Sequence, residues 1–461
     1  MNAPRSFLRH ADFWSWFIAA AVVLPVSWNV VTIHNKPIDV LPSDMLLLAL
    51  PVCVWRWLRQ RGHDSGEKNV AATWMYCCLI ALIAYCGLLA VAEWSRTGDA
   101  IGLLSAAKFI KPLLFVFLGG WLATAIGPRM MLRQMSWMLA VVVLLLAVST
   151  ILHSDFPGTV WGSQWMGHPV YGFPNLAMTF VAAATPLVMV IADTSSKSWQ
   201  RWFGWAAAAA SFVLVVSSLS RCANVVLVLS LFVYLLMTGR RWRLMSFACV
   251  AVLYVGTGYS LIVLNSDAVA EQQPLLQERA AHRFVEPVNR NSGALAGRST
   301  IWAEAWSLIR THPWVGYAFR PYSYHSEFVT PHQQYLETLY KAGAIGFAMY
   351  AAMLLIALGW LIYLWRDWNA HATRTSNEGH LLAAVLALLC GVLIGNLSQA
   401  NLTYSLTGNC LFLLIGLMVH PRSEAAISAR RYVSGSTAWR PWLPSPLEGE
   451  GDRRPVDCNM S

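Results

Sequence analysis

One polar stretch interrupts an otherwise apolar chain: GRSTIWAEAWSLIRTHPWVGYAFRPYSYHSEFVTPHQQYLETLYKAGAIG, from Gly297 to Gly346. It carries the side chains best suited to chemistry. His332 follows Pro331 at the start of an apolar run, with Tyr335 and Leu336 on the same helical face. An imidazole at a membrane–water boundary is neutral near pH 7 and suits a general base. An interfacial histidine without a role is the plain alternative, and His325, Tyr324 and Glu327 are neighbouring candidates. Arg298 stands at the N-terminal edge of an expected helix. Free N–H groups there attract phosphate, and a guanidinium fork binds its oxygens in pairs. The competing reading of Arg298 is a solvated loop arginine.

Three more cations lie in or beside apolar segments. Arg221 sits in SLSRC, a short turn between two apolar runs. A charge so near hydrocarbon wants a partner or a ligand, unless it snorkels to lipid headgroups. Lys108 and Lys111 are three residues apart and share one helical face, roughly 10–15 Å into the fourth apolar segment. They could meet an anion, or Asp44 at similar depth could pair with them. The chain has no HExxH, DxD or Walker loop, so neither a metal nor a nucleotide cofactor is expected. The nine cysteines show no metal spacing, and all but Cys458 lie in or at the ends of apolar segments. They read as small apolar filler rather than a disulfide framework.

The elements that must position these groups are membrane helices. The 461 residues are 57% hydrophobic and only 12% charged, against about 25% charged in ordinary soluble domains. A span needs about 20 apolar residues. On that rule the fold is an all-α polytopic membrane protein with about twelve transmembrane helices and one long outer loop containing short helices. The expected spans are Phe13–Ile33, Ile38–Val54, Val70–Ala92, Ile101–Ile126, Met135–Leu152 and Phe173–Ala192, then Phe203–Leu219, Ala223–Met237, Leu244–Leu264, Leu336–Trp365, Leu381–Leu397 and Tyr404–His420. The N-terminal basic region precedes a long apolar run without a small-x-small site, which reads as an uncleaved first span.

With the N-terminus inside, 21 of the 33 basic residues fall on inner segments, and the five short outer loops hold only Lys36, Arg96 and Arg221. The positive-inside rule therefore puts both termini in the cytoplasm and residues 265–331 outside. The organisation is then 1–264 with nine spans, 265–331 as outer loop, 332–420 with three spans, and 421–461 as a disordered inner tail. The outer loop carries six arginines and six acids with no lysine, so it is formally neutral. Any anion it binds must be met by particular arginines. Within it, Ile301, Trp302, Ala305, Leu308 and Ile309 recur at helical spacing. They predict a surface amphipathic helix capped by Ser299 or Thr300 and closed by Pro313. The net charge of +10 is spread between apolar segments, which fits topology and argues against nucleic acid.

Three motifs carry a resemblance: SLSR at Arg221, GRSTIWAEAWSLIRTHPWVGY from Gly297, and PHQQYLETLYKAGAIG from Pro331. In this order they resemble the O-antigen ligase and polymerase superfamily, whose outer loop has an Arg-x-x-x-Trp helix (here Arg298 to Trp302) and a His-led final motif. Gln333 departs from the asparagine often found after that histidine, which bears on subfamily. The resemblance implies a metal-independent, GT-C-like enzyme of the bacterial inner membrane with its active site at the periplasmic face. It would take a glycan from undecaprenyl pyrophosphate and pass it to a lipid A-core hydroxyl by inverting displacement. Arg221 and Arg298 would hold the pyrophosphate, with Lys108 and Lys111 assisting, and His332 would serve as base. His325, Tyr335 and Trp302 are further candidates.

Ligation of finished polysaccharide is the leading expectation, and polymerisation of repeat units within the same family is the runner-up. A protein O-oligosaccharyltransferase stands third, since such enzymes usually carry a further C-terminal region. From another class, a transporter or flippase of a lipid-linked glycan would show pseudo-symmetric halves and midplane charges. This chain gathers its unusual polar residues on one face, which favours a one-sided reaction.

Overall fold

The computed structural model describes residues 5–24, 28–33, 36–40, 42–52, 55, 70–152, 174–217, 220–239, 293–328, 330–371, 377–400, 402 and 405–419. Helices dominate. In chain order they are α1 (Arg5–Val23), α2 (Pro42–Met45), α3 (Val70–Thr97), α4 (Ile101–Ala125), α5 (Pro128–Leu152), α6 (Pro174–Thr194), α7 (Ser198–Ser217), α8 (Arg221–Met237), α9 (Gly293–Thr311), α10 (Gln334–His371), α11 (Asn377–Gly395) and α12 (Ser405–Val419). Six of these contain stretches long and apolar enough to cross a membrane: Val70–Thr97, Ile101–Ala125, Pro128–Val148, Leu176–Thr194, Gln334–Asn369 and Glu378–Gly395. Phe13–Val23, Pro42–Val52, Cys222–Met237 and Leu406–Val419 are shorter apolar helical stretches. The expected ninth span, Leu244–Leu264, the loop before residue 293 and the tail after 419 lie outside the described residues.

The first two expected spans need correction. Helix α1 stops at Val23, and Trp28–Ile33 (β1) pairs antiparallel with Lys36–Val40 (β2) in a two-stranded hairpin, with Trp28 opposite Val40 and Ile33 opposite Lys36. The second apolar run is therefore a strand, the short α2 and a 3-10 turn at Leu46–Ala49, not one continuous helix. The segment is apolar enough for hydrocarbon, but its run of β-branched residues favours extended backbone.

The bundle packs in two groups. Helix α4 lies along α12, and α6 packs against α7, α8 and α11. Gly119 of α4 and Gly416 of α12 let those two backbones touch, since a Cβ on either would overlap a carbonyl of the facing helix. Small residues at such contacts are how helices associate where lipid removes the hydrophobic drive between them. Within the α6 stretch Leu176–Thr194, 89% of the residues in its most apolar window are buried, so α6 forms the centre of its group.

Helix α10 is two helices. Gly343 has φ 65° and ψ −172°, which breaks the regular backbone near the start of α10. Into this break the Pro313–Phe319 loop inserts its own backbone. Ala344 N–H donates to the Pro313 carbonyl at 2.8 Å, Tyr317 N–H to the Tyr340 carbonyl at 2.8 Å and Phe319 N–H to the Lys341 carbonyl at 3.1 Å. Gly316, also at φ 65°, faces the break, and a Cβ there would come within 2.6 Å of the Gly343 nitrogen. Both positions need left-handed backbone and close approach at once, which suits glycine. The Tyr85 hydroxyl of α3 adds a bond to the Ala342 carbonyl at 3.1 Å.

Candidate active site

Helix α9 presents the predicted apolar face: Ile301, Ala305 and Ile309 are buried against Tyr322 and Tyr340, with Trp302 and Leu308 packed at the edge. It begins at Gly293, five residues before Arg298. Arg298 is therefore inside the helix, not at its N-terminal edge, and Ser299 and Thr300 are helical residues rather than the cap. The free N–H groups expected beside Arg298 belong to another element. Helix α8 starts at Arg221, and its N-cap Ser220 accepts from the Ala223 N–H. A helix N-terminus with its partial positive charge thus lies directly behind the SLSR motif.

His332 also differs from expectation. It precedes α10 and stands in a turn with φ 52°, so it shares no helical face with Tyr335. Non-glycine residues with positive φ are uncommon and need surrounding bonds to hold them. Four such bonds are present. The His332 N–H donates to Thr330 Oγ1 at 3.0 Å. Trp302 Nε1 reaches from α9 to the Pro331 carbonyl at 3.1 Å. On the other flank, Gln334 is fully buried; its N–H donates to the Asn396 carbonyl at 3.0 Å, and its Oε1 accepts from the Leu402 N–H at 3.1 Å. The imidazole remains open to solvent at the mouth of this frame.

The frame brings three predicted elements together. Arg298 lies within electrostatic range of both His332 and Cys222, the second residue of α8. Cys222 itself rests against the Gly395 carbonyl and Thr179, each 3.7 Å away. The start of α8, the interior of α9, the Pro331–Gln333 turn and the end of α11 therefore meet at one membrane end. Crowding by protein first, and the Arg298 charge second, hold the His332 imidazole below its ordinary value; Glu337 pulls the opposite way. A histidine so placed is neutral at pH 7 and open to receive a proton.

The remaining candidates are positioned as follows. Lys111 Nζ lies 3.1 Å from the Asp44 carboxylate, which also accepts from Asn409 Nδ2 at 3.3 Å. That is the structural pairing the sequence allowed. Lys108, one turn earlier, is exposed. The Tyr335 hydroxyl donates to the Leu393 carbonyl at 2.7 Å, tying α10 to α11 rather than facing His332. His325 belongs to an aromatic cluster, with Tyr317 at 4.5 Å and Tyr340 at 6.5 Å between ring centres.

Sequence reasoning missed three ion pairs around the loop. Glu93 at the end of α3 pairs with both Arg96 and Arg320, and Lys341 pairs with Glu337 one turn away. The Tyr324 hydroxyl donates to Asp99, at the start of α4, at 3.2 Å. Only the i,i+3 and i,i+4 spacings of Glu93–Arg96 and Glu337–Lys341 were readable in advance.

Residues 206–351 match the family described as O-antigen ligase, a stretch that takes in α8, α9, the His332 turn and the broken start of α10. No curated protein matches the chain. The matched stretch holds every element that meets at His332 except α6 and α11, and over it the chain is similar to the O-antigen ligase superfamily of membrane glycosyltransferases.

Proposed function

We propose that this chain is an O-antigen ligase, transferring polysaccharide from undecaprenyl pyrophosphate to a lipid A-core hydroxyl at the periplasmic face of the inner membrane. The observation that carries the reading is the bond from Trp302 Nε1, one turn along α9 from Arg298, to the Pro331 carbonyl beside His332, which brings the Arg298 charge to bear on that imidazole. A leaving pyrophosphate gains negative charge as its bond to the anomeric carbon breaks. A guanidinium and a helix N-terminus fixed beside it stabilise that charge as it develops. His332, neutral at pH 7, takes the acceptor hydroxyl proton while that oxygen attacks the anomeric carbon from the opposite face, with inversion. Arg221 enters as the residue that opens α8. Lys111, already paired with Asp44, is a weaker candidate for the donor than the two arginines.

Polymerisation of lipid-linked repeat units uses the same chemistry and is the second reading. The test is a lipopolysaccharide gel, with extraction of lipid-linked glycan, from cells lacking this protein. Bare core with full-length polymer held on undecaprenyl pyrophosphate is the expected result, restored by the wild-type chain and not by His332→Ala inserted at equal level. Core capped by one repeat would establish the polymerase instead. Normal core and normal carrier lipid would refute both. Full restoration by His332→Ala would remove that residue from the mechanism.

A further inference from the structure

A second site lies at the other end of the bundle. Helix α4 starts beside Tyr324 and the His332 end and runs 25 residues, about 37 Å at 1.5 Å per residue. Where it ends, the turn Ile126–Gly127–Pro128 opens onto a cavity of about 920 Å³ between the ends of α4, α10 and α12 and the starts of α5, α7 and α11. This is within the size of pockets that enclose whole small ligands. Nothing in the transfer reaction calls for a cavity this far from His332.

Its lining has three parts. Trp16, Trp137, Trp199 and Trp368 surround it, and tryptophan settles at the headgroup level of a bilayer. Leu132, Leu381, Leu382 and Met418 supply an apolar wall. The polar part is small and unbalanced. Arg129 Nη1 is neutralised by Glu378 Oε1 at 3.0 Å. Arg133, one turn further along α5, lines the same cavity with no carboxylate partner among the described residues. Gln134 beside it is 6% exposed, and its amide oxygen has no hydrogen-bond partner among the described residues. A buried acceptor left unmet is costly, and the broad terminal torsion of glutamine lets the amide turn toward the cavity.

We propose that this cavity binds an anionic glycerophospholipid of the leaflet far from His332, one whose headgroup offers both a phosphate and a hydroxyl donor. The phosphate meets the unpaired Arg133 fork, the headgroup hydroxyl donates to Gln134 Oε1, and an acyl chain lies along the leucine wall. A bare phosphate satisfies Arg133 but carries no separate alcohol hydroxyl for Gln134 and no acyl chain for the leucine wall. A choline headgroup brings neither net charge nor a donor. Phosphatidylglycerol has the required set, and basic pockets between spans are where such headgroups bind.

The test is native mass spectrometry of the purified full-length protein, titrated with palmitoyl-oleoyl phosphatidylglycerol and, separately, with phosphatidylcholine of the same chains. Phosphatidylglycerol should be retained about tenfold more tightly, and Arg133→Gln should remove about tenfold of that affinity. Gln134→Leu, which keeps the volume and removes the acceptor, should narrow the gap between the two lipids. Equal retention of both lipids, or phosphatidylglycerol retention unchanged in both variants, would overturn the proposal. Displacement by soluble glycerophosphoglycerol as readily as by the lipid would overturn the acyl-chain assignment. The readout is lipid retention, so it stands apart from any result on glycan transfer.

Discussion

Substituting Gly343 by alanine should undock the Pro313–Phe319 loop from the break in α10 without unfolding the bundle. A Cβ at Gly343 would overlap the Trp314 carbonyl and come within 2.5 Å of the Val315 nitrogen, both rigid backbone. The loop must move by about 1 Å or more to restore van der Waals contact. That movement breaks the Ala344–Pro313 bond at 2.8 Å and the Ile345–Trp314 bond at 3.3 Å, each contributing about 1 kcal/mol. The left-handed backbone at φ 65° adds about 1–2 kcal/mol once a side chain is present. Together these shift the docking equilibrium by about 3–4 kcal/mol, or two to three orders of magnitude in the undocked population. The assay is limited trypsinolysis at Lys341, whose carbonyl is held by the Phe319 N–H in the docked state. When opening is fast relative to cleavage, the cutting rate follows that population, so Lys341 should be cleaved at least a hundredfold faster. Glycan transfer should fall with it, because the same loop leads through Arg320 and Tyr322 to the frame of His332. Wild-type cleavage and wild-type transfer in Gly343→Ala would refute the claim that this break organises the site.

Two perturbations probe the frame more directly. Trp302→Phe keeps an aromatic ring on α9 but deletes the Nε1–H bond to the Pro331 carbonyl, about 1 kcal/mol. Transfer should fall roughly fivefold with membrane insertion unchanged, and an unaltered rate would make Trp302 a packing residue only. Arg298→Gln removes a charge that holds the His332 imidazole low, though protein crowding is the larger cause. The base works in its neutral form, so the acid limb of residual transfer should move to higher pH in the variant. A lower rate with an unmoved limb would mean that Arg298 acts on the donor alone.

Much of this arrangement was legible before any coordinates, for reasons that also explain what was not. The amphipathic face of α9 followed from Ile301, Ala305 and Ile309, because burial on one helical side leaves a 3.6-residue period. The Lys111–Asp44 pair was open to prediction because two opposite charges at one depth in hydrocarbon have few other partners. The hairpin at Trp28–Val40 was hidden: an apolar run long enough to span reads as helix by length, and only its β-branched content pointed to strands. The break at Gly343 was hidden for a related reason. One glycine in an apolar helical pattern is usually tolerated, and here its role depends on Gly316, 27 residues earlier. The frame of His332 was unreadable in principle, since Trp302, Asn396 and Leu402 meet it only through the fold.

Acid should loosen the loop between α9 and α10 through His325. Burial first, then the charges of Arg320 and His312, hold this imidazole below its ordinary value. It sits against Tyr317, which also stacks on Tyr340 at 4.8 Å, and its Nε2 is buried with no hydrogen-bond partner among the described residues. Protonation would place a cation in that stack beside Arg320, with no acceptor for the new N–H. The sign follows from linkage. A histidine whose folded value is depressed stabilises the fold fully above its unfolded value near 6.5, and that contribution is lost as pH falls through the folded value. The melting midpoint of the wild-type chain should therefore drop between pH 7.5 and pH 5.5 by more than that of His325→Phe, which keeps a ring in the stack and cannot titrate. His332 titrates in both proteins and cancels in the comparison. Parallel decline of the two midpoints would show that the aromatic cluster accepts the charged ring and would refute this account of His325.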